Sequence, residues 1–289
     1  MMSSIAKCVL PFSTAILLSA SVIGQTPEAQ PGISANDLGR AVIDNEMKAQ
    51  EASTARWMYQ EEREEQGKKK MTEVVQTGQG TLERLLAVDD HLLGPDEQRH
   101  EEERIEGLVR NPQVQQKREQ VKRKEAEQCK VFFKMMADAF NFYYQGREGD
   151  LIRLSFKPNP KFQAPTREAR VLEALEGEMW VQATERRLAR NQGELTSEVK
   201  FAGGLLGHLD KGGKFSVEQT ELAPGQWELT RMEINMEGKA LFFKTIAVQE
   251  KQVRSRFRRV ADDVTLSDAA SMLIHHALVA AKLGRPAGQ

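Results

Sequence analysis

Glycine and lysine are dense in the run Gly203-Gly204-Leu205-Leu206-Gly207-His208-Leu209-Asp210-Lys211-Gly212-Gly213-Lys214, which raises the question of phosphate chemistry. A phosphate loop needs two glycines five apart, then Lys and Ser or Thr, so that backbone donors wrap the anion at a helix start. Here Lys214 is followed by Phe215 and a strand-like run, so the stretch reads as a glycine-rich strand connection. His91, His100, His208, His275 and His276 show no metal spacing. The adjacent pair would point about 100° apart on a helix, whereas ligands four apart could face one ion. They read as surface histidines. Glu101-Glu102-Glu103 lies in a charge run and reads as a solvated face. Cys129, beside an apolar stretch, reads as a buried, inert thiol. Nothing assembles nucleophile, base and oxyanion donors, so no enzyme, metal or cofactor is expected.

The lead that remains is apolar. Met179, Trp180, Phe201, Phe215, Trp227, Met232, Ile234 and Phe242, with Met236 and Phe243 beside them, are scattered over successive strands. Methionine suits adaptable apolar surfaces, so these residues are the candidate ligand-binding set. Two outcomes are open: some line a concavity that accepts a ligand, or helices fill that space and all of them are core.

The elements that must position this set follow from periodicity. Leu195, Ser197, Val199 and Phe201 alternate with Thr196, Glu198 and Lys200, the two-residue period of a strand in an antiparallel sheet. Strands are expected at 54–65, 69–77, 81–88, 150–156, 170–175, 178–184, 186–190, 194–201, 214–222, 227–236, 239–249 and 253–260. Trp57 and Tyr59 fall on one face and Met58 on the other. Asn191-Gln192-Gly193, Pro224-Gly225 and Glu237-Gly238 read as turns between antiparallel neighbours. Ser34 or Asn36 caps a first helix with Leu38, Val42, Ile43 and Met47 on its apolar stripe; Ser267 caps a last helix. Between them a helical insertion over 95–145 breaks at Asn111-Pro112. It is a solvated, highly charged excursion up to Glu127, then carries Phe132, Met135, Met136, Phe140 and Tyr143 at helical spacing. A coiled coil would need sustained apolar a and d positions, which are missing.

Lys7, the apolar run from Val9 to Val22 and the Val22-Ile23-Gly24 site read as a signal peptide over 1–24. A mobile leader over 25–33, one domain over 34–283 and a disordered tail over 284–289 complete the expected organisation. One cysteine remains after cleavage and cannot make an internal disulfide. Net charge is −1, so no global field suggests nucleic acid or anionic lipid, and no further segment has the apolar length of a membrane span.

Gly177-Glu178-Met179-Trp180-Val181, Val199-Lys200-Phe201 with its glycine-rich turn, Pro224-Gly225-Gln226-Trp227 and Gly238-Lys239-Ala240-Leu241-Phe242-Phe243-Lys244 carry a resemblance in pattern. The chain resembles the LolA/LolB-like half-barrels of bacterial lipoprotein carriers and receptors and related periplasmic stress-sensing regulators. The resemblance implies an α+β fold, with about eleven antiparallel strands in a large, curved, open sheet, an apolar concave face for acyl chains and helices covering it. The charged insertion is longer than such a lid requires, no lipobox is present, and no functional residue of the family maps onto this chain. The expectation is an exported, periplasmic or extracellular, non-catalytic protein that carries or senses a lipid or lipoprotein acyl chain. The alternative is an envelope protein-interaction or sensing module acting through the charged helices.

Overall fold

The computed structural model describes residues 32–204, 206–240 and 244–283. The expected signal peptide, the leader up to residue 31, Phe242, Phe243 and the tail lie outside the described residues. The chain runs α1 (Ala35–Ala52), β1 (Arg56–Glu65), β2 (Lys68–Thr77), β3 (Gly80–Val88), β4 (His91–Leu92), α2 (Pro95–Arg110), α3 (Pro112–Ala139), β5 (Phe140–Glu148) and β6 (Leu151–Pro158). A 3-10 turn (Glu168–Glu173) precedes β7 (Leu175–Gln182), β8 (Leu188–Leu195), β9 (Val199–Phe201), β10 (Gly207–Leu209), β11 (Lys214–Ala223), β12 (Gln226–Ala240), β13 (Lys244–Val260) and α4 (Leu266–Leu283).

The class is α+β, as expected, with a large antiparallel sheet of thirteen strands in place of about eleven. Strand order is β4-β3-β2-β1-β13-β12-β11-β8-β7-β6-β5, with β10 beside β12 and β9 beside β10. Among the described residues β4 and β5 end this order, and it does not close on itself. By internal contacts the described residues divide into 32–53 with 125–252, and 54–124 with 253–283.

Two expected turns prove to be strand interior. Asn191-Gln192-Gly193 lies inside β8, with Gly193 opposite Gly177 of β7 and Phe215 of β11. A Cβ at Gly193 would sit 2.6 Å from the Glu176 carbonyl and 2.7 Å from the Phe215 ring. Glycine is there to admit a close neighbour and does not reverse the chain. Glu237-Gly238 lies inside β12, where Gly238 pairs with Leu209 of β10. Pro224-Gly225 is a true hairpin turn between β11 and β12, with Gly225 at φ 71°. The expected strand at 170–175 is largely the 3-10 turn, whose Ala169, Val171 and Leu172 are buried. The expected strand at 194–201 breaks after Leu195, because Thr196 turns both its N–H and its hydroxyl to the Ala174 carbonyl, at 2.8 and 3.0 Å. Phe140 and Tyr143 belong to β5, not to a helix.

In the first unit α1 presents Leu38, Val42 and Ile43 to a core that includes Phe142, Leu154, Phe156, Met179, Phe215 and Met232. Ser34 is its cap: the Oγ accepts from Asp37 N at 3.1 Å. Asn36 does a different job, accepting from Phe142 N at 2.8 Å and tying the helix start to β5. Gly39 is where helix and strand meet most tightly. A Cβ there would fall 2.6 Å from the Phe142 ring.

In the second unit Met58, Val75 and Leu82 pack with Ile105 and Leu108 of α2 and with Leu266, Ala269 and Leu273 of α4. Trp57 and Tyr59 lie away from that cluster, as the alternation predicts, with Phe257 beside both and the guanidinium groups of Arg259 and Arg254 over them. The charge run is not wholly solvated. Glu101 is only 8% exposed and accepts from Leu85 N at 2.7 Å; Glu102 pairs at 3.0 Å with Arg84, which is 2% exposed and also donates to the Leu273 carbonyl. The cap of α4 is Thr265, not Ser267: its Oγ1 accepts from Asp268 N, while Asp268 Oδ2 accepts from Thr265 N and Oγ1.

Replacing Gly39 by Ala should destabilise the protein by roughly 1 to 2 kcal/mol in chemical denaturation, because displacing a buried ring outweighs alanine's gain in helix propensity of about 1 kcal/mol. At the α4 cap, hydrogen bonds from Thr265 hold the Asp268 carboxyl below its ordinary range. A depressed folded-state value means stabilisation that is present above the unfolded value and lost as pH falls through the folded one. The melting-temperature deficit of Asp268→Ala should therefore be clear at about pH 7 and shrink towards zero by about pH 2.

Candidate functional site

Leu38, Val42 and Glu46 recur every four residues along α1, so the buried stripe of that helix ends in a carboxylate. The sheet receives it at two irregularities. In the pairing of β7 with β8 the extra residue is Ala189, near the start of β8, and in the pairing of β11 with β12 it is Thr230 of β12, opposite Glu218 and Gln219. Arg187 Nε and Nη2 donate to the two Glu46 oxygens at 2.7 and 3.2 Å, Leu188 N at 2.8 Å and Gln219 Nε2 at 2.8 Å. Both charged side chains are 11% exposed. A buried ion pair is tolerated only with geometry and extra hydrogen bonds of this quality.

Two spaces adjoin this cluster. One, about 280 Å³, is lined by the polar Glu46, Arg187 and Gln219 and by Met47, Phe133 and Trp227. The Trp227 Nε1 donates to Glu185 at 2.9 Å, and its ring lies 5.9 Å from the Arg187 guanidinium carbon. The second, about 80 Å³, is a predominantly apolar cavity walled by Val42, Ile43, Phe132, Met136, Met179 and Phe215. Glu46 and Phe133 line both.

Of the residues singled out in the sequence, Met179 and Phe215 meet in the apolar cavity, and Trp227 lines the polar space. Phe201, Met232 and Ile234 are buried in the same core but line neither space. Trp180 is on the other face of β7, its ring between Arg153 at 5.5 Å and Arg190 at 5.1 Å. Glu46, Arg187, Phe133 and Asn191 were not anticipated. Elsewhere, His208 lies between Glu198 and Asp210, at 3.5 and 3.2 Å. Cys129 is half-buried. Among the described residues, no three His, Cys, Asp or Glu side chains are grouped to hold a metal.

No family model matches the chain, and no curated protein matches it. The crystal structure of a DUF1329 family protein from Desulfovibrio piger is similar over 81% of this chain and 98% of its own, at 11% identity and a TM-score of 0.25, a likeness too slight to support an argument.

The ion pair makes a sharp prediction. Glu46→Met strands a buried guanidinium and should cost about 3 to 5 kcal/mol, whereas adding Arg187→Leu should return most of that loss. Equilibrium denaturation of the two singles and the double closes the cycle.

Proposed function

We propose that this chain is an exported, non-catalytic binding protein that carries or senses a hydrophobic ligand, such as a lipid or the acyl part of a lipoprotein. The observation that carries this reading is the apolar cavity between α1, the C-terminal half of α3 and the inward faces of β7, β8 and β11. At about 80 Å³ it is smaller than the roughly 300 to 1,000 Å³ of ordinary small-molecule sites, so uptake requires its roof to lift. The roof is suited to that. Phe132, Phe133 and Met136 of α3 are only partly buried, so displacing them exposes less new apolar surface than displacing a fully buried helix would. The family resemblance in the strand pattern points the same way, and export rests on the charged and apolar pattern of residues 1–24. No described helix is long and apolar enough to cross a membrane.

A second reading, an interaction or sensing module working through the charged helices, is favoured by the first half of α3. Lys117, Arg118, Lys122, Arg123 and Lys124 are exposed there, as is Val121. Reversing the charge of Lys122, Arg123 and Lys124 should abolish partner capture and leave ligand uptake intact if that reading holds.

For the carrier reading, a fluorescent fatty-acid probe should bind the wild-type chain. Met136→Trp, which fills the cavity, should weaken that binding about tenfold or more while the far-ultraviolet dichroism is unchanged. Absence of probe uptake by the wild type, with no lipid co-purifying in native mass spectrometry, would dismiss it.

A further inference from the structure

One polar side chain in the cavity wall is left over. Asn191 sits on β8 between Met179 of β7 and Val217 of β11, all three facing the α1 side of the sheet. It is 8% exposed, and its Oδ1 has no hydrogen-bond partner. The other polar residue in that wall, Glu46, has both oxygens occupied by Arg187, Leu188 and Gln219. A buried acceptor left unmade is costly, and an apolar side chain of the same size would avoid that cost.

We propose that Asn191 is the polar anchor of the cavity, and that its ligand is a single-chain amphiphile whose polar end carries an O–H or N–H donor bound to Asn191 Oδ1. The inference rests on the carrier reading and narrows it. Fatty alcohols and fatty amides fit this chemistry; an ester or ether, which has no donor, does not. The small cavity takes the donor and the first carbons, and the chain runs past Phe133 into the space of about 280 Å³, where Met47, Trp227 and Leu229 supply apolar wall. Specificity arises because a ligand without the donor leaves Asn191 unpaired in the complex as well.

The test uses 1-decanol and decyl methyl ether as competitors for a fluorescent fatty-amide probe, whose N–H supplies the donor, on the full chain and on Asn191→Leu. The wild type should bind the alcohol about tenfold more tightly than the ether. Asn191→Leu should bind the two equally and melt at a higher temperature, since an unpaired acceptor has been removed. Equal displacement by alcohol and ether on the wild type overturns the anchor and leaves the carrier reading standing, and that comparison does not depend on the variant folding. A lower melting temperature for Asn191→Leu, together with equal binding on the wild type, assigns Asn191 to a structural water and also overturns it. If the wild type takes up no probe, the carrier reading fails and the anchor falls with it.

Discussion

The carboxylate of Glu46 is the point on which the first unit turns. The apolar stripe of α1 is short, chiefly Leu38, Val42 and Ile43, and apolar contact alone does not fix how a helix is rotated about its axis. Four donors converging on two oxygens do fix it, because rotating the helix by one residue would part a largely buried charge from all of them. The same cluster holds the irregular start of β8 through Leu188 N and uses Gln219, which stands where Thr230 bulges from β12. It also stands in the wall shared by the polar space and the apolar cavity, so helix docking and site geometry have one origin.

The second unit applies the same device with the signs exchanged. Arg84 on β3 is the buried charge, and it holds α2 through Glu102 and α4 through the Leu273 carbonyl. Glu101 adds a bond to the β3 backbone and is itself gripped by Arg104, whose guanidinium is raised further above its ordinary range, chiefly by hydrogen bonding to that carboxylate. Helices α1 and α2 are both sparing in apolar surface. Satisfied charges supply the orientation that a broader stripe would otherwise give.

These devices explain what could be read in the sequence and what could not. Strand period is a local signal, so the sheet, the helix at 35–52 and the break at Asn111-Pro112 were legible. Glycines mislead where a neighbouring backbone or ring, and not a chain reversal, requires them: Gly193 makes way for Phe215 and Glu176, and Gly238 for β10. Asn191 shares this disguise: beside Gly193 its residue type suits a turn, and it is an inward strand position. The separation of Met179 from Trp180 was available from alternation alone, since adjacent strand residues face opposite sides and cannot line one wall. Glu46 could have been found from the spacing of Leu38, Val42 and Glu46. Its partner could not, because Arg187 is 141 residues away and nothing local marks it.

Two polar groups line the apolar cavity, and their different states of satisfaction divide structure from recognition. Glu46 is saturated, so a cationic head group could engage it only by displacing Arg187 and undocking α1, at a cost no single contact repays. Asn191 is neutral and open, so a donor that reaches it gains a bond without breaking one. In the carrier we propose, the cavity would therefore discriminate by hydrogen-bonding capacity and not by charge. The ion pair keeps the wall in place, and in that proposal the weaker group, Asn191, is the one left to meet a ligand.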